Sequence, residues 1–108
     1  MKNLITILIL FAFGCGKSLK EEDVVGSYEW DILEFVLLEN GKFEAWTDGE
    51  KDGEATWVIV GKEVHVGSEK ERAVFKVEPN GDLTCIAHIG DGRKDFATKD
   101  FKSFKKVK

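Results

Sequence analysis

The sequence predicts a small all-β domain, an antiparallel up-and-down meander or barrel of about seven or eight strands, after a cleaved N-terminal signal segment. Three observations support this prediction. An apolar segment stands at the N-terminus, turn signals recur at short intervals from Val24 onward, and apolar residues alternate with polar ones between those turns. Such alternation is typical of strands that bury one face.

The N-terminal segment has the properties of an export signal rather than of a membrane span. The apolar run from Leu4 to Phe13 fits the roughly 7 to 15 residues of a signal-peptide core, whereas a membrane-crossing helix needs about 20. Lys2 and the amino terminus supply the positive charge that precedes such a core. We therefore expect everything after this segment to be exported.

The segment ends in Ala12-Phe13-Gly14-Cys15, which resembles a bacterial lipobox, where a cysteine is acylated and becomes the first mature residue. Gly14 matches the small residue before the cysteine; the family pattern usually has a leucine and a small residue where Ala12 and Phe13 stand. The resemblance implies a membrane-anchored lipoprotein of the bacterial cell envelope. The chain would then consist of a signal peptide over residues 1–14, a tether over 15–23 that begins with Cys15, and the β domain over 24–108. Cys15 would carry a palmitate-type lipid.

The two cysteines leave alternatives open. If Cys15 is acylated, its thiol is consumed and Cys85 has no partner in the chain. Two free cysteines in an exported chain would instead suggest one disulfide. The other alternative is a conventional signal peptide cut near Gly14 or Gly16.

Length and charge limit the possible functions. The exported part is long enough for one small domain, and a formal net charge of -4 argues against nucleic acid as a partner. An acidic stretch over 20–23 contrasts with a basic C-terminus over 99–108. Solvated faces explain both stretches, and contact of the basic tail with anionic lipid headgroups is the alternative.

Turn residues divide the first half of the domain. Residues 26–30 form the first predicted strand, and Asn40-Gly41 predicts a hairpin because both residues tolerate a positive φ. The acidic stretch 48–54 is expected to break the next strand as a solvated loop. Residues 55–60 then resume strand alternation.

The second half repeats this pattern. Gly61-Lys62 and Asn80-Gly81 are further turn signals. Residues 90–95 are expected to end the strand before them, and residues 96–100 to form one helical turn. The strands predicted here are 63–66, 72–77, 83–89 and 101–107. The inward-facing set predicted for the whole barrel is Phe35, Leu37, Phe43, Trp57, Ile59, Phe75 and Val77.

The order of these features resembles small bacterial lipocalin-like lipoproteins. VVGSYEW, LLENGKFEAW, GEATWVIVGKEVHV and FKVEPNGDLTCI are similar to the family's opening Gly-x-Trp segment and its later hairpins, with Tyr28 in the aromatic place. The resemblance covers most of residues 24 to 107. It implies a non-catalytic, monomeric lipoprotein that binds a small apolar ligand in the mouth of its barrel.

Residues that would carry catalysis or bind a metal are few. Nucleophilic catalysis needs a base beside a serine or cysteine, and only His65 and His88 are available. On their strands, both histidines stand between residues that are predicted to face the core, so we expect their side chains to be exposed to solvent. Cys85 is expected to act as a small buried hydrophobe. We therefore expect no enzyme activity, no metal site and no cofactor.

The aromatic residues supply the candidate binding sites. Two alternatives remain: a small apolar ligand in the barrel, or a filled barrel that acts through its surface as a protein-interaction module or as an inhibitor of an envelope enzyme. Candidate partner-surface residues are Trp30 and Trp46, because tryptophan is enriched at interaction hot spots. Candidate ligand-binding residues are Tyr28, Phe35, Phe43, Trp57 and Phe75.

Overall fold

The computed structural model describes residues 19–107, so the predicted signal peptide, the lipobox and Cys15 lie outside the described residues. The described part begins with a one-turn helix, α1 (Glu21–Val24), and contains a 3-10 turn over Thr98–Asp100. No helix in it is both long and apolar enough to cross a membrane. Its strands are β1 (Gly26–Trp30), β2 (Leu33–Leu37), β3 (Lys42–Thr47), β4 (Glu50–Val60), β5 (Glu63–Gly67), β6 (Arg72–Val77), β7 (Leu83–Ile89), β8 (Arg93–Asp95) and β9 (Lys102–Lys106).

The strands form a closed antiparallel barrel of eight strands with one extra strand. Strands β1 to β8 pair in sequence order, and β9 closes the sheet by pairing with both β1 and β7. Strands β8 and β9 occupy successive lengths of the same edge of β7, β8 beside Ala87 to Ile89 and β9 beside Leu83 to Cys85. The prediction of a small all-β meander or barrel is confirmed.

The two ends of the barrel differ. At one end, which we call the tether end, the chain enters through α1, and the described chain leaves it after β9. There the Tyr28 hydroxyl donates to the Val24 carbonyl at 2.6 Å, and Lys106 Nζ donates to the Asp23 carbonyl at 3.0 Å. Because Val24 is fully buried, α1 covers the tether end. The other end, the far end, carries the β1–β2, β3–β4, β5–β6 and β7–β8 turns.

The core lies inside the barrel. Side chains alternate along each strand, so that one set faces inward and the other faces solvent. All seven residues predicted to face inward belong to the core or pack against it. The buried members are Val24, Tyr28, Leu37, Phe43, Trp57, Val64, Val66, Phe75, Leu83 and Phe104.

The predicted Asn40-Gly41 hairpin forms between β2 and β3. Gly41 adopts a φ of 81°, a left-handed conformation that favours glycine. The Asn40 side chain accepts a hydrogen bond from the Lys42 N–H, and the Gly41 carbonyl accepts one from the Trp57 N–H. The turn therefore also fixes the position of Trp57, a core residue of β4.

Two predicted loops are strands instead. Asp48 and Gly49 both have positive φ, which suits a two-residue hairpin turn, so pairing resumes at once between Thr47 and Glu50. Strand β4 is therefore 11 residues long, and the predicted break over 48–54 was wrong. Similarly, residues 93–95 pair with β7 as β8 although a loop was expected. In both cases charged side chains face solvent while the backbone continues the ladder.

Candidate functional site

The interior candidates meet in one aromatic cluster. The Phe35 ring stacks on Phe104 with centroids 4.3 Å apart, and it contacts Phe43 at 5.0 Å and Phe75 at 6.0 Å in edge-to-face geometry. Such pairs are the preferred aromatic arrangement. The structure thus brings together three of the five proposed ligand-binding residues, with Phe104 among them. Phe104 could have been predicted from the alternation of apolar and polar residues along 101–107, but it was not included in the inward-facing set.

Tyr28 and Trp57, the other two candidates, have their polar atoms bonded to backbone. The Trp57 indole N–H donates to the Leu38 carbonyl at 2.9 Å, and the Tyr28 hydroxyl donates to Val24 at 2.6 Å. Burial, and then the negative charge of Asp82, raises the pKa of Tyr28 to about 12. Both rings therefore join the barrel wall to the elements that cover the tether end.

Trp30 and Trp46 lie on opposite faces of the sheet. Trp30 pairs with Leu33 on the inward face of β1, whereas Trp46 pairs with Glu34 on the outward face of β3. The Trp46 indole donates to Glu44 at 3.2 Å, and the side chain is half-buried. The two tryptophans do not form one patch.

Trp30 marks an exposed apolar patch at the far end. Its side chain is 39% exposed and its ring lies 6.1 Å from that of Phe104. Lys102 Nζ lies 4.9 Å from the Trp30 ring centroid, within cation–π range. Ile32, in the adjacent turn, is 54% exposed. We call Trp30, Ile32 and Lys102 the far-end patch.

The far-end patch is built on a constrained turn. Asp31 has a φ of 56°, a left-handed conformation that is uncommon for a residue other than glycine. The Ile32 carbonyl accepts a hydrogen bond from the Asp48 N–H at 2.8 Å, which fixes the β1–β2 turn against the β3–β4 turn. Trp30 of this patch was predicted from the sequence as a surface candidate. Ile32 was missed, because that residue lies in a turn, where alternation gives no signal.

Lys102 also borders a cleft in the barrel wall. This wall cleft has a volume of about 470 Å³ and is lined by Cys85, Phe96, Asp100 and Lys102. It lies where the chain leaves the β7 edge after β8 and returns to it at β9. Burial raises the pKa of the Cys85 thiol despite the positive charge of Lys102. The thiol therefore stays protonated near neutral pH, which makes it a poor nucleophile.

His65 is buried, so the prediction that it is exposed was wrong. It is only 4% exposed, although it faces outward and pairs with Val74, which in turn pairs with Ala87. Both of these neighbours are fully buried. The outer face of β5 to β7 thus carries a second small buried cluster. His88, by contrast, is exposed as expected.

An ionic network lies beside this outer cluster. Glu63 accepts two hydrogen bonds from the Arg93 guanidinium, at 2.9 and 2.8 Å. Its Oε1 also lies 3.0 Å from His65 Nε2. Arg93 Nε also donates to Asp95 at 3.0 Å. Because Arg93 lies on β8 and Glu63 on β5, this pair crosses the outer face of the two strands between them. The hydrogen bonds from Arg93 lower the pKa of Glu63 to about 2.

Residues 19–107 contain no group of three or more His, Cys, Asp or Glu side chains arranged to hold a metal ion. No protein-family model, curated protein or solved structure matches the chain. The barrel is consistent with a lipocalin-like architecture.

Proposed function

We propose that the protein is a membrane-anchored, non-catalytic envelope lipoprotein that acts through its surface and contacts a partner protein with the far-end patch. The observation that carries this proposal is the cluster of Phe35, Phe43, Phe75 and Phe104 in the barrel, with ring centroids 4.3 to 6.1 Å apart. An eight-stranded barrel has room either for its own side chains or for one small ligand, and these rings occupy that room. A barrel filled in this way binds through its ends and its outer surface.

The place where the described chain enters the barrel supports this role. A lipid anchor at Cys15 would join the domain through residues 16–20, which lead into α1 at the tether end. The far-end patch would then point away from the membrane. Trp30 provides a large amphipathic surface, and such residues dominate binding energy at interfaces.

Photo-crosslinking in intact envelopes tests the contact. A photoreactive amino acid at Ile32, with 54% of the residue exposed, should crosslink to one discrete protein, and Trp30→Ala should remove that product. Val58 is the matched control because it is apolar and 50% exposed but lies on the outer face of β4. The proposal is wrong if both positions give the same products or if Trp30→Ala changes nothing.

The lipid anchor is tested separately. Labelling with a radioactive acyl precursor should mark the wild-type chain and not Cys15→Ala. Equal labelling of both chains would exclude acylation at Cys15. Counting free thiols in Cys85→Ala then distinguishes an acylated Cys15 from one that was paired with Cys85, since only the paired form would release a new thiol.

A second candidate function is favoured by the wall cleft. Its apolar wall at Phe96 and Cys85 suits a small apolar molecule such as a fatty acid. The cation of Lys102 attracts the carboxylate of such a ligand, and the Asp100 carboxylate in the same lining opposes it. Titration with a fluorescent fatty acid should give saturable binding that Lys102→Gln weakens and Lys105→Gln leaves unchanged. Non-saturable binding, or equal loss in both variants, would exclude this function.

A further inference from the structure

Residues 90–101, which we call the strap, cover the side of the barrel where the wall cleft lies. The strap contains β8, only three residues long and exposed throughout. β8 pairs with β7 alone, so one of its edges has no strand partner in the described chain. Short elements with exposed backbone bonds open locally at low free-energy cost. The three ladder pairs between β7 and β8 therefore hold the strap only weakly.

The Arg93–Glu63 pair fixes the strap's position. The guanidinium meets the carboxylate with two parallel hydrogen bonds of 2.9 and 2.8 Å, the fork geometry that is strongest for such pairs. Asp95 holds Arg93 Nε at 3.0 Å from the same strand. The contact joins residues 30 apart in sequence and links the strap to β5.

The strap continues directly into the wall cleft. Phe96 follows β8, and its N–H donates to the Ile86 carbonyl at 2.9 Å. The Phe96 side chain lines the cleft together with Asp100, also from the strap, and with Cys85 and Lys102 from the barrel. Displacement of β8 therefore moves one wall of the cleft relative to the other.

We propose that the strap is a gate over the wall cleft and that the Arg93–Glu63 pair is its latch. Breaking the latch frees β8 and Phe96, widens the cleft and exposes Cys85. The gate does not depend on which occupant the cleft takes, so it stands even if the far-end contact or the fatty-acid site fails its own test.

Thiol reactivity measures the gate directly. In full-length chains carrying Cys15→Ser, Cys85 is the only thiol, and its reaction with a chromogenic aryl disulfide reports access to the cleft. We expect Glu63→Gln and Arg93→Gln to speed this reaction roughly two- to fivefold, the factor for loss of a partly exposed ion pair. Arg93→Lys, which keeps the charge but loses the fork, should fall between wild type and Arg93→Gln.

Two controls separate gating from general destabilisation. Glu54→Gln breaks the exposed Lys51–Glu54 pair on β4 and should leave the Cys85 rate unchanged. Amide exchange should quicken over residues 90–101 and not in β2 or β3. The gate is refuted if the Cys85 rate stays at the wild-type value in both latch variants, or if exchange rises equally throughout the barrel.

Discussion

At the scale of single residues, the buried aromatic side chains with polar atoms connect elements as well as fill space. Tyr28 donates to Val24 and Trp57 donates to Leu38, so each ring packs in the core while its polar atom satisfies a backbone carbonyl. A buried carbonyl without a partner is costly. These two residues therefore set where α1 and the β2–β3 turn lie against the barrel.

The single tyrosine makes this arrangement measurable. Tyr28 is the only tyrosine in the chain, so ultraviolet absorbance of tyrosinate reports it alone. Burial raises its pKa from 10.0 to about 12. We expect little ionisation at pH 10 and a midpoint near 12.

The same shift fixes the sign of a stability effect. Because the folded pKa exceeds the unfolded one, the stabilisation is complete below pH 10 and is lost as pH rises through about 12. Wild type should therefore lose stability relative to Tyr28→Phe over this window. A tyrosinate midpoint at the ordinary value of 10.0 would show that the hydroxyl is not buried.

Glu63 gives a second residue-level expectation, of opposite sign. Arg93 lowers its folded pKa from 4.5 to about 2, so its stabilisation is present above pH 4.5 and is lost as pH falls towards 2. Urea unfolding at several pH values should show wild type more stable than Glu63→Gln at neutral pH. That difference should shrink between pH 4.5 and 2, and a pH-independent difference would contradict the shift.

His65 shows what single-residue patterns miss. Alternation correctly predicts that it faces away from Val64 and Val66, but the outward face is not everywhere solvent. Val74 and Ala87, on the two strands that follow β5, lie beside His65 in register, and Arg93 of β8 reaches across these strands to Glu63. Exposure of an outward residue depends on such distant elements, and no local pattern carries that information.

At the scale of elements, turn chemistry decides where each strand ends. Asn40-Gly41 gave a correct prediction because the glycine has the positive φ that its hairpin requires. Asp48-Gly49 is the same kind of signal, yet the charges that follow it suggested a loop. Charge reports the exposure of side chains, whereas a two-residue turn returns the backbone to pairing at once. The turn signal was therefore the better guide to β4.

Two glycines on strands offer a matched test of backbone constraint. A Cβ at Gly67, which has a φ of 135°, would lie 2.3 Å from the Glu71 carbonyl oxygen. Gly67→Ala should therefore destabilise by roughly 1 to 3 kcal/mol. Gly53 lies outside the left-handed region and has no atom within 4 Å of an added Cβ, so Gly53→Ala should be neutral or slightly stabilising. Denaturant midpoints give both values, and equal losses would contradict this account.

At the scale of the whole molecule, β9 closes the barrel and completes its core. It pairs with β1 through Lys105 and Lys106 and with β7 through residues 102–104. Its inward residue Phe104 contacts Phe35, Phe75 and Trp30. Closure and core packing therefore both depend on β9.

Phe104→Ala should reveal that dependence. Removal of a buried phenylalanine costs about 3 to 5 kcal/mol, a large part of the roughly 5 to 15 kcal/mol that stabilises a small domain. We expect strong loss of stability in chemical denaturation. Lys105→Ala, on the same strand but exposed, is the control and should change stability little. Similar losses in the two variants would contradict a specific contribution of the Phe104 ring.

The sequence predicted the barrel, its inward set and Trp30 as a surface candidate, but not Ile32, Lys102 or the wall cleft. Alternation and turn residues are local, so they identify strands and their buried faces. The far-end patch and the wall cleft each combine residues from strands that are not consecutive in the chain, Trp30 with Lys102 and Cys85 with Lys102. Barrel closure creates these neighbours, and their identity depends on register that the sequence pattern does not specify.

The position of α1 at the end opposite Trp30 also determines how the domain carries mechanical load. A pull between the chain's entry at the tether end and Trp30 acts on the two ends of β1, a single strand of five residues. The strand is already nearly extended, so its covalent backbone carries such a load directly. The hydrogen bonds from β1 to β2 and β9 lie outside the path of the force, and the barrel stays closed under it.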